Sequence, residues 1–146
     1  MFKWLLCGMS VFSLSSFVPL LRAQPKQQLE QNQVLLKSSF FLQSCYQADK
    51  DPYLDRSQTA LRMKKEVGET DCLEAYKKLQ KSKILVMRFA NLIDLSPLRE
   101  FSKLEVLSLG GNKIRSLKDL SGLVELRELN LGGFRGFNEV SDLSPL

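Results

Sequence analysis

Apolar residues recur in this chain at a fixed step of 22 positions. Leu104, Leu107 and Leu109 return as Leu126, Leu129 and Leu131. One step before Leu107 and Leu109 stand Leu85 and Met87. The residues between keep the same step: Leu92, Leu95, Leu98 and Phe101 become Ile114, Leu117, Leu120 and Leu123. A period of this length marks a repeat architecture and has to be read before any other pattern. In Leu107-Ser108-Leu109 the apolar residues alternate, so a short strand points both to one side. Gly110-Gly111 breaks that strand, and the amide of Asn112 is suited to the backbone groups a turn leaves open. Ile114, Leu117, Leu120, Leu123 and Leu126 then come at every third position, which predicts a 3₁₀-like or short helical return path. Such a unit cannot bury its own leucines and must stack on its neighbours.

The stretch Leu104-x-x-Leu107-x-Leu109-x-x-Asn112-x-Ile114 resembles the leucine-rich repeat family. The 22-residue length and the Asp-Leu-x-Pro-Leu segment resemble its bacterial internalin-type subclass. The resemblance covers residues 82–146 and leaves the last repeat incomplete. It implies an α/β fold: a short solenoid of about three strands with 3₁₀ or helical return segments, preceded by a small α-helical cap. It also implies that the concave strand face is the binding face. The outward residues there are Val86 and Arg88, Val106 and Ser108, Glu128 and Asn130, among which Arg88, Ser108 and Asn130 are candidate partner contacts.

The segment DLSPL occurs twice, as Asp94–Leu98 and as Asp142–Leu146. Leu95 and Leu98 fall on the inward ladder. Ser96 is expected to cap the return helix and Pro97 to occupy its first position, where a missing N–H costs nothing. Asp94 is placed to accept backbone N–H groups at that start. Leu95 and Leu143 lie 48 positions apart, four more than two repeats. The extra residues fall between Leu131 and Asn138, so an expanded glycine-rich loop follows the third strand. It carries Phe134, Arg135 and Phe137, residue types enriched at binding hot spots. A core role for either phenylalanine is the alternative.

The part before the repeats has three zones. Residues 1–23 begin with Lys3, continue as an apolar run from Leu5 to Leu21, and offer Ala23 as a cleavage position, the layout of a secretory signal peptide. A retained membrane anchor is the alternative. Residues 24–38 are polar and Gln-rich and read as a flexible linker. Residues 39–81 carry helical spacing. Phe41, Leu42, Cys45 and Tyr46 share one face. Ser57 is expected to cap a second helix that Gly68 ends, and Asp71 with Glu74 forms a capping box for a third. Cleavage after Ala23 leaves Cys45 and Cys72, both on apolar helix faces. An exported chain with an even cysteine count predicts a disulfide between them, with two buried free thiols as the alternative.

Several function classes are excluded or disfavoured. The chain has no histidine, which removes Ser-His-Asp and Cys-His catalysis and the commonest metal ligand. Gly110-Gly111-Asn112-Lys113 lacks the spacing of a phosphate loop. Glu100 and Glu105 are expected to be scattered and solvated. Signal cleavage would remove two of the 21 basic residues, Lys3 and Arg22, and none of the 16 acidic ones. The remaining charges are mixed in sign along the chain, without the basic patch of a nucleic-acid binder. The chain is therefore expected not to be an enzyme and to need no cofactor or metal. It reads as an exported module, secreted or held in the cell envelope, that binds a protein partner through its strand face. It is expected to bind no nucleic acid and to keep no stable membrane insertion after cleavage. One alternative is a truncated fragment of a longer repeat protein, self-associating through an uncapped C-terminal repeat. The other is a membrane-anchored envelope component.

Overall fold

The computed structural model describes residues 18–133 and 138–146. Helix α1 runs over Val18–Ser38, and the compact body begins at Leu35. Residues 24–38, expected as a flexible linker, are therefore helical. The reason is composition: Gln, Leu, Lys and Glu are all good helix formers, and polarity alone does not make a coil. Its last turn also has an apolar anchor, since Leu35 and Leu36 pack against the core. Among the described residues no helix is long and apolar enough to cross a membrane. Most of the expected signal segment, residues 1–17, lies outside the described residues.

Three short helices form the cap: α2 (Phe40–Gln47), α3 (Asp55–Glu66) and α4 (Cys72–Leu79). Ser39 caps α2 through its hydroxyl, which accepts from the Leu42 N–H at 3.1 Å. Asp71 caps α4, accepting from the N–H groups of Leu73 and Glu74. The reciprocal half of the expected capping box is missing, because the Glu74 carboxylate pairs with Lys77. Ser57 does not cap α3. That helix begins two residues earlier, with Leu54 at its N-cap, and Ser57 faces the interior fully buried. Gly68 follows the end of α3 with φ +72°, a conformation that favours glycine. The cysteines of α2 and α4 are joined as a Cys45–Cys72 disulfide, with Cα atoms 6.0 Å apart. Tyr46 departs from the expected face and is exposed, while Phe41, Leu42, Ser44 and Cys45 are buried.

The repeats form a parallel sheet of three strands in sequence order: β1 (Ile84–Val86), β2 (Val106–Ser108) and β3 (Glu128–Asn130). Leu85, Leu107 and Leu129 stand in register across it. The 22-residue step is thus the register of the sheet. Return segments Ser96–Leu98 and Lys118–Leu120 are 3₁₀ turns. Along each return path an inward residue's N–H bonds to the carbonyl of the preceding inward residue. Leu98 bonds to Leu95, Phe101 to Leu98 and Leu104 to Phe101, at 2.8–3.1 Å. The next repeat does the same from Leu117 through Leu126. An apolar residue at every third position therefore keeps both its hydrogen bond and its burial in one tight helix.

The capping of these returns differs from expectation. Ser96 makes no side-chain cap, and Leu95 is the N-cap residue. Asp94 takes the acceptor role expected of it, receiving the Ser96 N–H at 2.8 Å. Asp142 accepts from the Ser144 N–H in the same way, at 2.9 Å. The equivalent residue of the middle repeat is Ser116, whose hydroxyl faces the Lys118 N–H at 3.4 Å. A side-chain oxygen two residues before the bonded N–H makes an Asx or ST turn, which is shorter than a helix N-cap and suits a 3₁₀ start.

The cap seals the first repeat by direct contact. Phe101 packs edge-on against Phe41 of α2, with ring centroids 5.7 Å apart, and against Tyr76 of α4 at 5.9 Å. Thr59 of α3 donates its hydroxyl to the Asp94 carbonyl at 2.6 Å. Glu100, expected to be solvated, is half-buried and accepts from the Phe41 N–H at 2.7 Å and the Ser39 hydroxyl at 2.8 Å. It therefore supplies the charge at the N-terminus of α2 that the helix itself lacks, since its first turn has no acid.

Burial raises the Glu100 pKa above 4.5, against the opposing pull of those two donors and of Arg99. The folded chain thus holds this proton more tightly than the unfolded chain does. Stability from this group grows as pH falls from neutral through the raised pKa, and levels off below about 4.5, the ordinary glutamate value. Glu100→Gln keeps the acceptor oxygen and removes the charge, so it should abolish this slope. Glu100→Ala strands the Phe41 N–H and should cost about 1–3 kcal/mol. Urea unfolding of both variants and the parent at neutral pH and near pH 4.5 checks this. Identical pH slopes in the parent and Glu100→Gln would contradict it.

Candidate interaction surface

The inward residues of the sheet are consumed by the core, so any surface chemistry must come from the residues between them. On β1 the outward side chains are apolar and open: Ile84 is 62% exposed and Val86 43%. Val106 and Ser108 of β2 are half-buried, and Glu128 and Asn130 of β3 are exposed. The face is graded, apolar at the β1 edge and polar at β3. Lys83 pairs with Glu105 at 2.6 Å at the start of the strands.

The three described candidate contacts take different positions. Arg88 is exposed and follows β1, on the same outward row as Val86. Ser108 lies at the end of β2 and pairs in register with Val86 on one side and Asn130 on the other. Asn130 is committed locally, its Oδ1 accepting from the Gly132 N–H at 3.1 Å. The sheet thus brings Arg88, Ser108 and Asn130 to one face. Phe134, Arg135 and Phe137 lie outside the described residues.

Their surroundings locate the four-residue insertion. Asn112 donates through Nδ2 to the Leu109 carbonyl, three residues back, at 2.7 Å. Asn138 makes the equivalent bond to the Leu131 carbonyl, seven residues back, at 2.8 Å. The two asparagines also share a ladder, because Asn138 Nδ2 reaches the Leu109 carbonyl at 3.0 Å and its Oδ1 accepts from the Ile114 N–H. The repeat therefore resumes at Asn138, which makes three of the four hydrogen bonds that Asn112 makes one repeat earlier.

Sequence reasoning passed over Phe89. This residue is 54% exposed and has φ +53°. One repeat later the same place holds Gly111, with φ +72°, and then Gly133. The Phe89 ring rests on Gly111: a Cβ there would lie 2.2–2.4 Å from the ring carbons. The Arg88 guanidinium sits over the ring, 5.6 Å from its centroid. The 22-residue alignment contained the signal, a phenylalanine at a position where the following repeats have glycine.

A second aromatic and cation pair lies elsewhere, where Arg99 sits 4.1 Å over the Phe40 ring and pairs with Asp119. A cavity of about 410 Å³ nearby is lined by Asp55, Asp94, Arg99, Arg115, Lys118 and Asp119, among others. Its charges largely answer one another, since Asp94 caps Ser96, and Arg115 pairs with Glu139 at 2.8 Å. Among the described residues no cluster of Cys, Asp and Glu is arranged to hold a metal ion.

Residues 102–146 match the family model described as Leucine Rich repeats (2 copies). No curated protein sequence matches the chain. Among solved structures the chain is similar to an internalin from Listeria monocytogenes, at 24% identity and a TM-score of 0.52. The match covers 62% of this chain and 26% of that one, so this chain spans about a quarter of that internalin's length. At this identity the likeness is one of fold. Residues 102–146 thus carry leucine-rich repeats, and the chain shares its fold with part of that internalin.

Proposed function

We propose that the chain is an exported protein-interaction module that binds a protein partner through the outward face of β1–β3. The observation that carries this reading is the open apolar edge formed by Ile84 and Val86, flanked by Arg88 and graded into Ser108 and Asn130. Side chains with no packing role inside the fold are free to be used by a partner, and solenoid strand faces offer continuous surfaces of this kind. The sequence insertion after β3 carries Phe134, Arg135 and Phe137, which by residue type are proposed as further partner contacts. Export is supported by the Lys3-led apolar run and by the Cys45–Cys72 disulfide, which persists in oxidising compartments.

Two measurements test this. N-terminal sequencing of the exported protein should give a mature start near Gln24; a retained Met1 in the membrane fraction would support the anchored alternative instead. Partner capture should be compared between the parent, a Val86→Asp, Ser108→Arg pair, and a Lys103→Glu control in the loop before β2. The expected result is a protein retained by the parent and the control and lost by the outward-face pair. Each variant should first be shown to fold by circular dichroism. Equal retention by all three would place binding elsewhere.

A further inference from the structure

Phe89 is held in a backbone conformation that its side chain disfavours. For a bulky residue, φ near +50° is uncommon and strained relative to glycine. The following repeat makes the same turn without that strain, since Gly111 stands there with φ +72°. The ring is not buried as compensation, being 54% exposed. It packs against Gly111, and the Arg88 guanidinium sits over it, 5.6 Å from the ring centroid. None of the ion pairs among the described residues uses Arg88. Strain retained at an exposed position points to use by a ligand.

We infer that Arg88 and Phe89 form an anchor for an acidic side chain flanked by apolar ones in an extended segment of a protein partner. This rests on the strand-face reading above and specifies the chemistry that face recognises. A guanidinium laid on a ring keeps its edge N–H donors free and pre-oriented, which suits forked pairing with a carboxylate. The ring below and the exposed Ile84 and Val86 alongside supply the apolar contacts. A segment running along β1 would meet them in the order Ile84, Val86, then Arg88 with Phe89. The sheet face offers no carboxylate competitor near Arg88: Glu105 is engaged by Lys83, and Glu128 stands at the opposite end of the strands.

The test uses the full chain and a phage library of unconstrained random peptides. Peptides selected on the parent should share an acidic residue beside aliphatic or aromatic ones. A synthetic peptide from that pool should bind Arg88→Glu at least about tenfold more weakly. Replacing its acidic residue with lysine should restore binding to Arg88→Glu. Phe89→Asn, which tolerates positive φ, should weaken binding by a similar factor while leaving the urea midpoint unchanged or higher. The inference is overturned by an empty selection, by a pool without acidic residues, or by equal affinity for parent and Arg88→Glu. It is also overturned if Phe89→Asn lowers the urea midpoint, because the ring would then serve the fold. Peptides that ignore Arg88 but lose binding on substitution of Ser108 or Asn130 would overturn it and leave the strand-face reading intact.

Discussion

Replacing Asn112 by alanine should cost about 4 kcal/mol of folding stability, a large part of the roughly 5–15 kcal/mol that a domain possesses. The side chain is 1% exposed and uses its whole hydrogen-bonding capacity. Its Oδ1 accepts from the N–H groups of Ala90 at 2.9 Å and Leu92 at 3.1 Å. Its Nδ2 donates to the carbonyls of Met87 at 2.8 Å and Leu109 at 2.7 Å. One amide thus closes the turn of its own repeat and that of the repeat before it. Alanine leaves both N–H groups and the Met87 carbonyl without this partner in the interior, at about 1–3 kcal/mol each before any relaxation. Leu109 is partly spared because Asn138 also donates to its carbonyl. Asn112→Asp should be damaging too, since it sets a carboxylate oxygen against those two carbonyls. Urea unfolding followed by circular dichroism measures the loss. A change below about 1 kcal/mol for Asn112→Ala would mean that water replaces the amide at little cost.

Removing the Cys45–Cys72 bridge should cost about 3–4 kcal/mol, the loop-closure entropy expected for a separation of 27 residues. The bridge ties α2 to α4, and these helices carry Phe41 and Tyr76, the aromatic rings that pack on Phe101. Both cysteines are buried, so a Cys45→Ala, Cys72→Ala pair avoids stranding a hydroxyl in the core. The chemical readout is a lower urea midpoint for the pair and for the reduced parent, equal within error. A pair as stable as the oxidised parent would show that the helices hold α2 and α4 together without the bond.

The repeats were legible because their spacing is their geometry. A step of 22 residues between leucines is the register of β1, β2 and β3, and apolar residues every third position become the bonded 3₁₀ return. The four-residue offset between the two DLSPL segments was legible for the same reason, and Asn138 shows where the period resumes. The cap was legible only in part. Helical spacing and the two cysteines were readable, but the start of α3 and the role of Ser57 were not. Asp94 was legible as the acceptor at the return start, but the cap expected of Ser96 does not form, because a 3₁₀ turn and an α-helix place their capping oxygen differently and a pentapeptide does not say which will form. Of the strand face, the alternation marked Arg88, Ser108 and Asn130 as outward, but it carried no measure of their exposure or of their mutual register with neighbours.

By itself the sequence determined the repeat unit, its inward ladder and the insertion, and with no histidine present it excluded the chemistry that needs one. Tertiary structure alone decided three things. It placed Glu100 on the N-terminus of α2, 59 residues from the Phe41 N–H it binds. It packed Leu35 and Leu36, at the end of α1, against the core. It laid the Phe89 ring on Gly111 beneath Arg88. The division has a physical cause. A period encodes contacts between equivalent residues, which repeat with the chain, whereas the docking of a cap and the strain at one phenylalanine are single events between unlike partners.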